Sequence, residues 1–226
     1  MRLLKSLLRP RALALAAGTV AAMVCGVASA QETTFTGFTN GCFVAGCTPT
    51  QTASPTTTTL NGLSFTNSTF NVTTAGGFVS IGDAPATPNV NNLGSFSLTS
   101  APFSYAGGAF DLLVTFSAPP GTTPNPVLFT SVVSGNVMAT QNGGVFINFD
   151  NGMRHFTFGS GPTAGSFDFF VNDVSLVGPG SGHPPSTIGL SGTIVSQVSS
   201  VPEPETYALL IAGLGAVGFM ARRRKT

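Results

Sequence analysis

VFINFDNGMRHFTF, residues Val145–Phe158, is the stretch on which the fold reading turns. Apolar residues alternate with polar ones on both sides of Asp150-Asn151-Gly152, which is the period of a half-buried strand and not of a helix. Asn-Gly between two such runs is the residue pair that favours a two-residue hairpin turn. A hairpin there would set Val145 opposite Phe158, Ile147 opposite Phe156 and Phe149 opposite Arg154. Asn148 would meet His155 and Phe146 would meet Thr157 on the other side. Turn chemistry and alternation agree on that register, so the stretch predicts two adjacent strands with one apolar face.

The same period recurs in both directions. In AFDLLVTF, Phe110, Leu112, Val114 and Phe116 share one face, and Asp111, Leu113 and Thr115 the other. In TIGLSGTIVSQV, Ile188, Leu190, Ile194 and Val198 fall on one parity. Phe167, Phe169 and Val171 share a parity that Val174 and Leu176 leave, which predicts a bulge or turn near Asn172-Asp173. Further candidate strands are Leu60–Val72, Gly77–Ile81, Gly94–Thr99 and Val127–Val133. Gln51–Leu60 and Gly178–Ser186 read as polar loops. Short apolar runs separated by Gly, Pro, Asn and Ser, without an amphipathic helix, predict an all-β chain. The expected fold is a single antiparallel β-sandwich, jelly-roll-like, over residues 31–200.

Charge is distributed unevenly. Nine Lys and Arg occur in 226 residues; four lie before residue 12 and four after residue 221. Between Gln31 and Ser200 only Arg154 faces six acids, Glu32, Asp83, Asp111, Asp150, Asp168 and Asp173, for a net −5. One cation cannot neutralise a row of phosphates, so no nucleic-acid partner is expected. Residues 1–30 have a cationic start, an apolar run Ala12–Val27 and the small-x-small ending Ala28-Ser29-Ala30, the order of a secretory signal peptide. An uncleaved anchor helix is the alternative. In an exported chain the remaining pair, Cys42 and Cys47, is expected as a disulfide, with free thiols the other reading. Two cysteines alone are too few for a structural metal site.

The other end reads VPEPETYALLIAGLGAVGFMARRRKT, residues Val201–Thr226. Tyr207–Ala221 carries no charge and spans about 22 Å as a helix, short of a bilayer core of about 30 Å. The cluster Arg222, Arg223, Arg224 and Lys225 suits a cytoplasmic stop. Pro202-Glu203-Pro204, the apolar helix and the terminal basic cluster, in that order, resemble the PEP-CTERM sorting signal over residues 201–226. The resemblance implies that Pro202, Glu203 and Pro204 are the recognition motif. It makes 207–221 a transient transmembrane helix in the inner membrane and 222–225 the membrane stop. It further implies the secretion machinery and an exosortase as partners, with the product at the cell surface or outside the cell. Producers of such proteins often make exopolysaccharide and biofilm.

No enzyme is expected. His155 and His183 are the only histidines, and G-x-S-x-G, H-E-x-x-H and the P-loop are absent. Asp168 and Asp173 are the carboxylate pair open to a secreted glycoside hydrolase, but one Arg between Gln31 and Ser200 and no Trp leave little to orient a sugar. Asp150-Asn151-Gly152 and Asn172-Asp173 offer oxygens to Ca²⁺, although the hairpin already explains the first. No cofactor and no metal are expected. Asn67-Ser-Thr and Asn71-Val-Thr match a glycosylation sequon, and Thr56–Thr59 an O-linked acceptor run. The composition favours a non-catalytic cell-surface or extracellular-matrix protein associated with exopolysaccharide. The alternative is a carbohydrate-binding module for that exopolysaccharide, which a polar groove on one sheet face with converging Asn and Asp side chains would favour.

Overall fold

The structure, a computed structural model, describes residues 32–82, 91–99, 102–138, 143–178, 186–198 and 204–223. The signal peptide at 1–30 and His183 lie outside them. The described strands are β1 (Thr34–Phe43), β2 (Thr57–Leu60), β3 (Leu63–Thr66), β4 (Thr69–Thr73) and β5 (Phe78–Ile81). There follow β6 (Ser95–Leu98), β7 (Phe103–Ser104), β8 (Gly108–Ala118), β9 (Val127–Val137) and β10 (Gly144–Phe149). The remainder are β11 (Arg154–Phe158), β12 (Gly165–Val171), β13 (Val174–Val177), β14 (Ser186–Gly189), β15 (Gly192–Val198) and one helix, α1 (Pro204–Arg223).

All strand pairs are antiparallel, and they form three sheets. Sheet I has seven strands, β13-β10-β9-β8-β1-β4 with β7 added beside β9. Sheet II is β11-β12-β15-β5 and sheet III is β14-β6-β3-β2. The long strand β8 underlies both small sheets. Near its start Phe110 meets Phe65 and Phe96 of sheet III, with ring centroids 4.8 and 4.9 Å apart. Near its end Phe116 meets Phe156, Phe167 and Phe169 of sheet II at 5.1–5.7 Å. The core is therefore a layer of phenylalanines between sheet I and the two small sheets, mostly in edge-on or tilted geometries that suit the ring quadrupole, with Phe156 and Phe167 stacked.

Alternation predicted several inward faces, though Ile188, grouped with Leu190 and Ile194, is exposed. Phe110, Leu112 and Val114 are fully buried, as are Val145, Ile147 and Phe156. The hairpin over 145–158 is not formed. β10 pairs with β9 and β13 in sheet I, whereas β11 pairs with β12 in sheet II. Val145, Ile147 and Phe149 thus enter the core from sheet I, and Phe156 and Phe158 enter it from sheet II. The physical reason is in the backbone: a type I′ turn needs positive φ at both central residues. Asn151 has φ +46°, but Gly152 does not have a positive φ.

The Asn-Gly hairpin is elsewhere, at Asn61-Gly62, with φ +46° and +87° joining β2 to β3 in the register Leu60 to Leu63. Leu60–Val72 is accordingly three strands' worth of chain, and Thr57–Leu60 is a strand, not the loop its polar composition suggested. Threonine is β-branched and suits a pleated surface. Strand β1 had not been anticipated, because its alternate positions Gly37, Thr39 and Gly41 look like loop residues. They are small for a packing reason. A Cβ on Gly41 would lie 2.5 Å from the Phe110 ring and 2.6 Å from that of Phe65.

The parity switch at Asn172-Asp173 is a passage from sheet II to sheet I, since β12 pairs with β15 and β13 with β10. The run with Ile188, Leu190, Ile194 and Val198 on one parity is likewise two strands and not one, since the chain leaves sheet III after Gly189 at the end of β14 and enters sheet II at Gly192 of β15. The outer edge of β11 is covered by the β8–β9 loop, where Thr123 and Thr157 exchange both backbone bonds at 2.8 and 2.9 Å. Covering an edge in this way blocks edge-to-edge association.

Candidate functional site

The corner between β10 and β11 gathers the residues that suggested calcium. The Asp173 carboxylate accepts the Phe149 backbone N–H at 2.9 Å through Oδ1 and the Asn151 side-chain amide at 3.2 Å through Oδ2. Asp150 accepts the Gly152 N–H at 3.2 Å and pairs with the Arg154 guanidinium. Arg154 also lies 5.8 Å above the Phe129 ring. One carboxylate therefore ties the β10–β11 passage to the β12–β13 passage. This arrangement fixes two sheet crossings, and its oxygens are occupied by protein donors. Among the described residues no group of three or more His, Cys, Asp or Glu is placed to hold a metal.

Asp168 and Asp173 have separate partners. Asp168 sits on the outer face of sheet II, where its Oδ1 is 2.7 Å from His155 Nδ1 on the neighbouring strand. Asp173 is engaged at the corner. The His155 ring is 63% exposed. Its pairing with Asp168 is a cross-strand contact of the kind that stabilises a sheet surface. Nothing in the sequence had linked these two residues, because the pairing of β11 with β12 decides their proximity.

A disulfide joins Cys42 to Cys47, with Cα atoms 6.3 Å apart. Inside its small ring Val44 takes φ +114°, a conformation that a β-branched residue rarely adopts. Val44 and Ala45 line a cavity of about 320 Å³ with Leu60, Phe103 and Tyr105. The Tyr105 hydroxyl donates to the Asn61 carbonyl at 2.6 Å, holding the β2–β3 turn. Burial pushes the Tyr105 phenol above its ordinary value, opposed by backbone hydrogen bonding at Leu63.

The first sequon is structural. Asn67 is buried, its amide donating to Thr52 and Ser54 carbonyls while its oxygen accepts the Thr56 N–H. Asn71 is exposed on β4.

Of the C-terminal signal, Pro202, Glu203, Arg224 and Lys225 lie outside the described residues. Pro204 opens α1, a favoured place for proline because the first helical N–H groups have no intrahelical acceptor. Arg222 and Arg223 occupy the last turn, where their charge complements the helix dipole. The helix is longer than the apolar run 207–221, and Leu210, Ile211, Leu214, Val217 and Phe219 are all at least 60% exposed. Yet no helix among the described residues is long and apolar enough to cross a membrane. Gly213, Gly215 and Gly218 dilute its hydropathy.

No curated protein and no solved structure matches the chain. Residues 200–225 match the PEP-CTERM protein-sorting motif. By this segment the chain carries a PEP-CTERM sorting signal, which implies an exported protein processed by exosortase and destined for the cell surface or the extracellular space.

Proposed function

We propose that residues 31–200 are a non-catalytic β-sandwich delivered to the cell surface or extracellular matrix, where the domain serves a structural or adhesive role associated with exopolysaccharide. The observation that carries this reading is the sorting motif at 200–225 behind an all-β domain with a single cation. The packing of sheet I against sheets II and III supports the sandwich. The engagement of Asp150, Asp168 and Asp173 with protein partners supports a structural role for carboxylates a hydrolase would need free. In this reading α1 engages the inner membrane transiently during processing. Its exposed apolar side chains enter the interface and Arg222 and Arg223 stay at the headgroups. Exosortase grips Pro202-Glu203-Pro204, where two prolines hold the backbone extended.

The test is the intact mass of the protein recovered outside cells, from hosts with and without exosortase. The expected product begins at Gln31 and ends near the Pro-Glu-Pro motif, only where exosortase is present. A product retaining Arg222–Lys225 in both hosts would sink the processing step. The alternative reading, a carbohydrate-binding module, is favoured by one feature of sheet III.

A further inference from the structure

The outer face of sheet III is built almost wholly from hydroxyls. Its inner face carries Leu63, Phe65, Phe96 and Leu98, all buried, with Thr58 and Ser186 on the edge strands. By register, one outward rung runs Thr59–Ser64–Ser97–Thr187 across all four strands, and the next runs Thr57–Thr66–Ser95–Gly189. Neither rung holds a charged, aromatic or amide side chain. The outer faces of the other sheets differ: sheet II shows His155, Asp168 and Gln197, and sheet I shows Phe146 and Val132. Thr57, Thr59 and Thr187 are exposed and Ser64, Thr66 and Ser97 half-buried, whereas Ser95 is buried, so the second rung presents Thr57 and Thr66.

The hydroxyls are oriented before any ligand arrives. Thr187 Oγ1 donates to Ser97 Oγ at 3.2 Å, and Ser64 Oγ donates to the Ser97 carbonyl at 3.3 Å. Thr57 and Thr66 share a bond between hydroxyls at 2.9 Å. Threonine is also stiff at χ1, so ordering these groups costs little on binding. Strand spacing places the four hydroxyls of the first rung over about 14 Å, and the two rungs lie about 7 Å apart.

Resting on the reading of an exported, non-catalytic domain, we infer that this face binds a neutral polysaccharide lying across the strands. A hydroxyl both donates and accepts, so a rigid uncharged array of them complements a polymer that presents hydroxyls at regular intervals. An anionic polymer would find no cation on the face. A protein partner would lack the apolar, aromatic centre that protein interfaces are built around. The threonine methyl groups meet the C–H faces of the sugar rings between hydroxyls.

The experiment is retention of the exported protein on microcrystalline cellulose and on immobilised dextran, with alginate as the anionic comparison. Retention on one neutral glucan and not on alginate is expected. The variant T59V/T187V keeps β-branched side chains and removes two exposed hydroxyls, and its retention should fall about tenfold with an unchanged melting temperature. Q197K, on the outer face of sheet II, should bind as the parent does. Retention on neither glucan, or equal retention of T59V/T187V, would overturn the inference. So would suppression of ice recrystallisation without glucan retention, which would assign the array to ordered water. The mass of the exported protein reports sorting separately, so a failure of binding and a failure of sorting are distinguishable.

Discussion

Removing the Asp173 carboxylate should loosen two sheet crossings at once. In Asp173→Ala the half-buried Phe149 N–H loses its acceptor, and a hydrogen bond to a charged group contributes about 1.5–3 kcal/mol. The second bond, to the exposed Asn151 amide at 3.2 Å, is long and screened, and adds about 0.5 kcal/mol. Asp173 is itself exposed, which favours the lower end, so a total of about 2 kcal/mol is expected. For a domain of this size that lowers the melting temperature by about 4–8 °C. Asp173→Asn keeps one acceptor oxygen and should lose about half as much. The assay is urea unfolding followed by circular dichroism, with a double-mutant cycle against Asn151→Ala to isolate the weaker bond. A hairpin at 145–158 makes a contrary prediction, because Asp173 would have no part in it. A change within about 0.5 kcal/mol for Asp173→Ala, in the range of ordinary surface substitutions, would refute the corner and the crossing of β10 into β11.

Val44→Gly should be neutral or stabilising by about 1 kcal/mol. The strain of a β-branched residue at φ +114° is relieved, little burial is lost at 65% exposure, and the backbone entropy of glycine offsets part of the gain. Loss of more than about 1 kcal/mol in unfolding experiments would contradict a strained Val44. Tyr105 makes stability fall at high pH. Its phenol is raised in the folded state, so its contribution is complete below the ordinary value of 10.0 and is lost as pH rises through the folded value. Tyr105→Phe should remove that alkaline component and lower stability by about 1 kcal/mol at neutral pH, through loss of the bond to Asn61. An identical alkaline profile for parent and variant would rule this out.

The C-terminal signal was legible because it is a local pattern: a fixed order of Pro-Glu-Pro, apolar run and cations needs no partner elsewhere in the chain. The inward faces were legible for the same reason. Val145, Ile147 and Phe149 alternate within one strand and burial follows that parity, whereas β8 is buried on both faces from Phe110 to Val114, Asp111 and Leu113 included. The corner site was half legible. Asp150, Asn151 and Asp173 stood out as oxygen donors, but their partners are set by how two crossings meet.

What the sequence by itself determined is therefore the all-β class, which side chains turn inward, and the sorting signal. Pairing was decided only by the tertiary structure. Two Asn-Gly pairs flanked by strand residues look alike along the chain, yet Asn61-Gly62 closes a hairpin while Asn151-Gly152 passes from sheet I to sheet II. The difference arises because β10 gains two neighbours in sheet I, β9 and β13, and β11 gains β12 together with a loop over its free edge. β9 and β12 adjoin β10 and β11 in the chain, whereas β13 and the β8–β9 loop come from farther off, and together their contacts outweigh the preference of at most about 1 kcal/mol that a turn residue has for one geometry. The rungs of hydroxyls on sheet III have the same origin. Thr59, Ser64, Ser97 and Thr187 are scattered over more than half the chain, and only the register of four strands brings them into line.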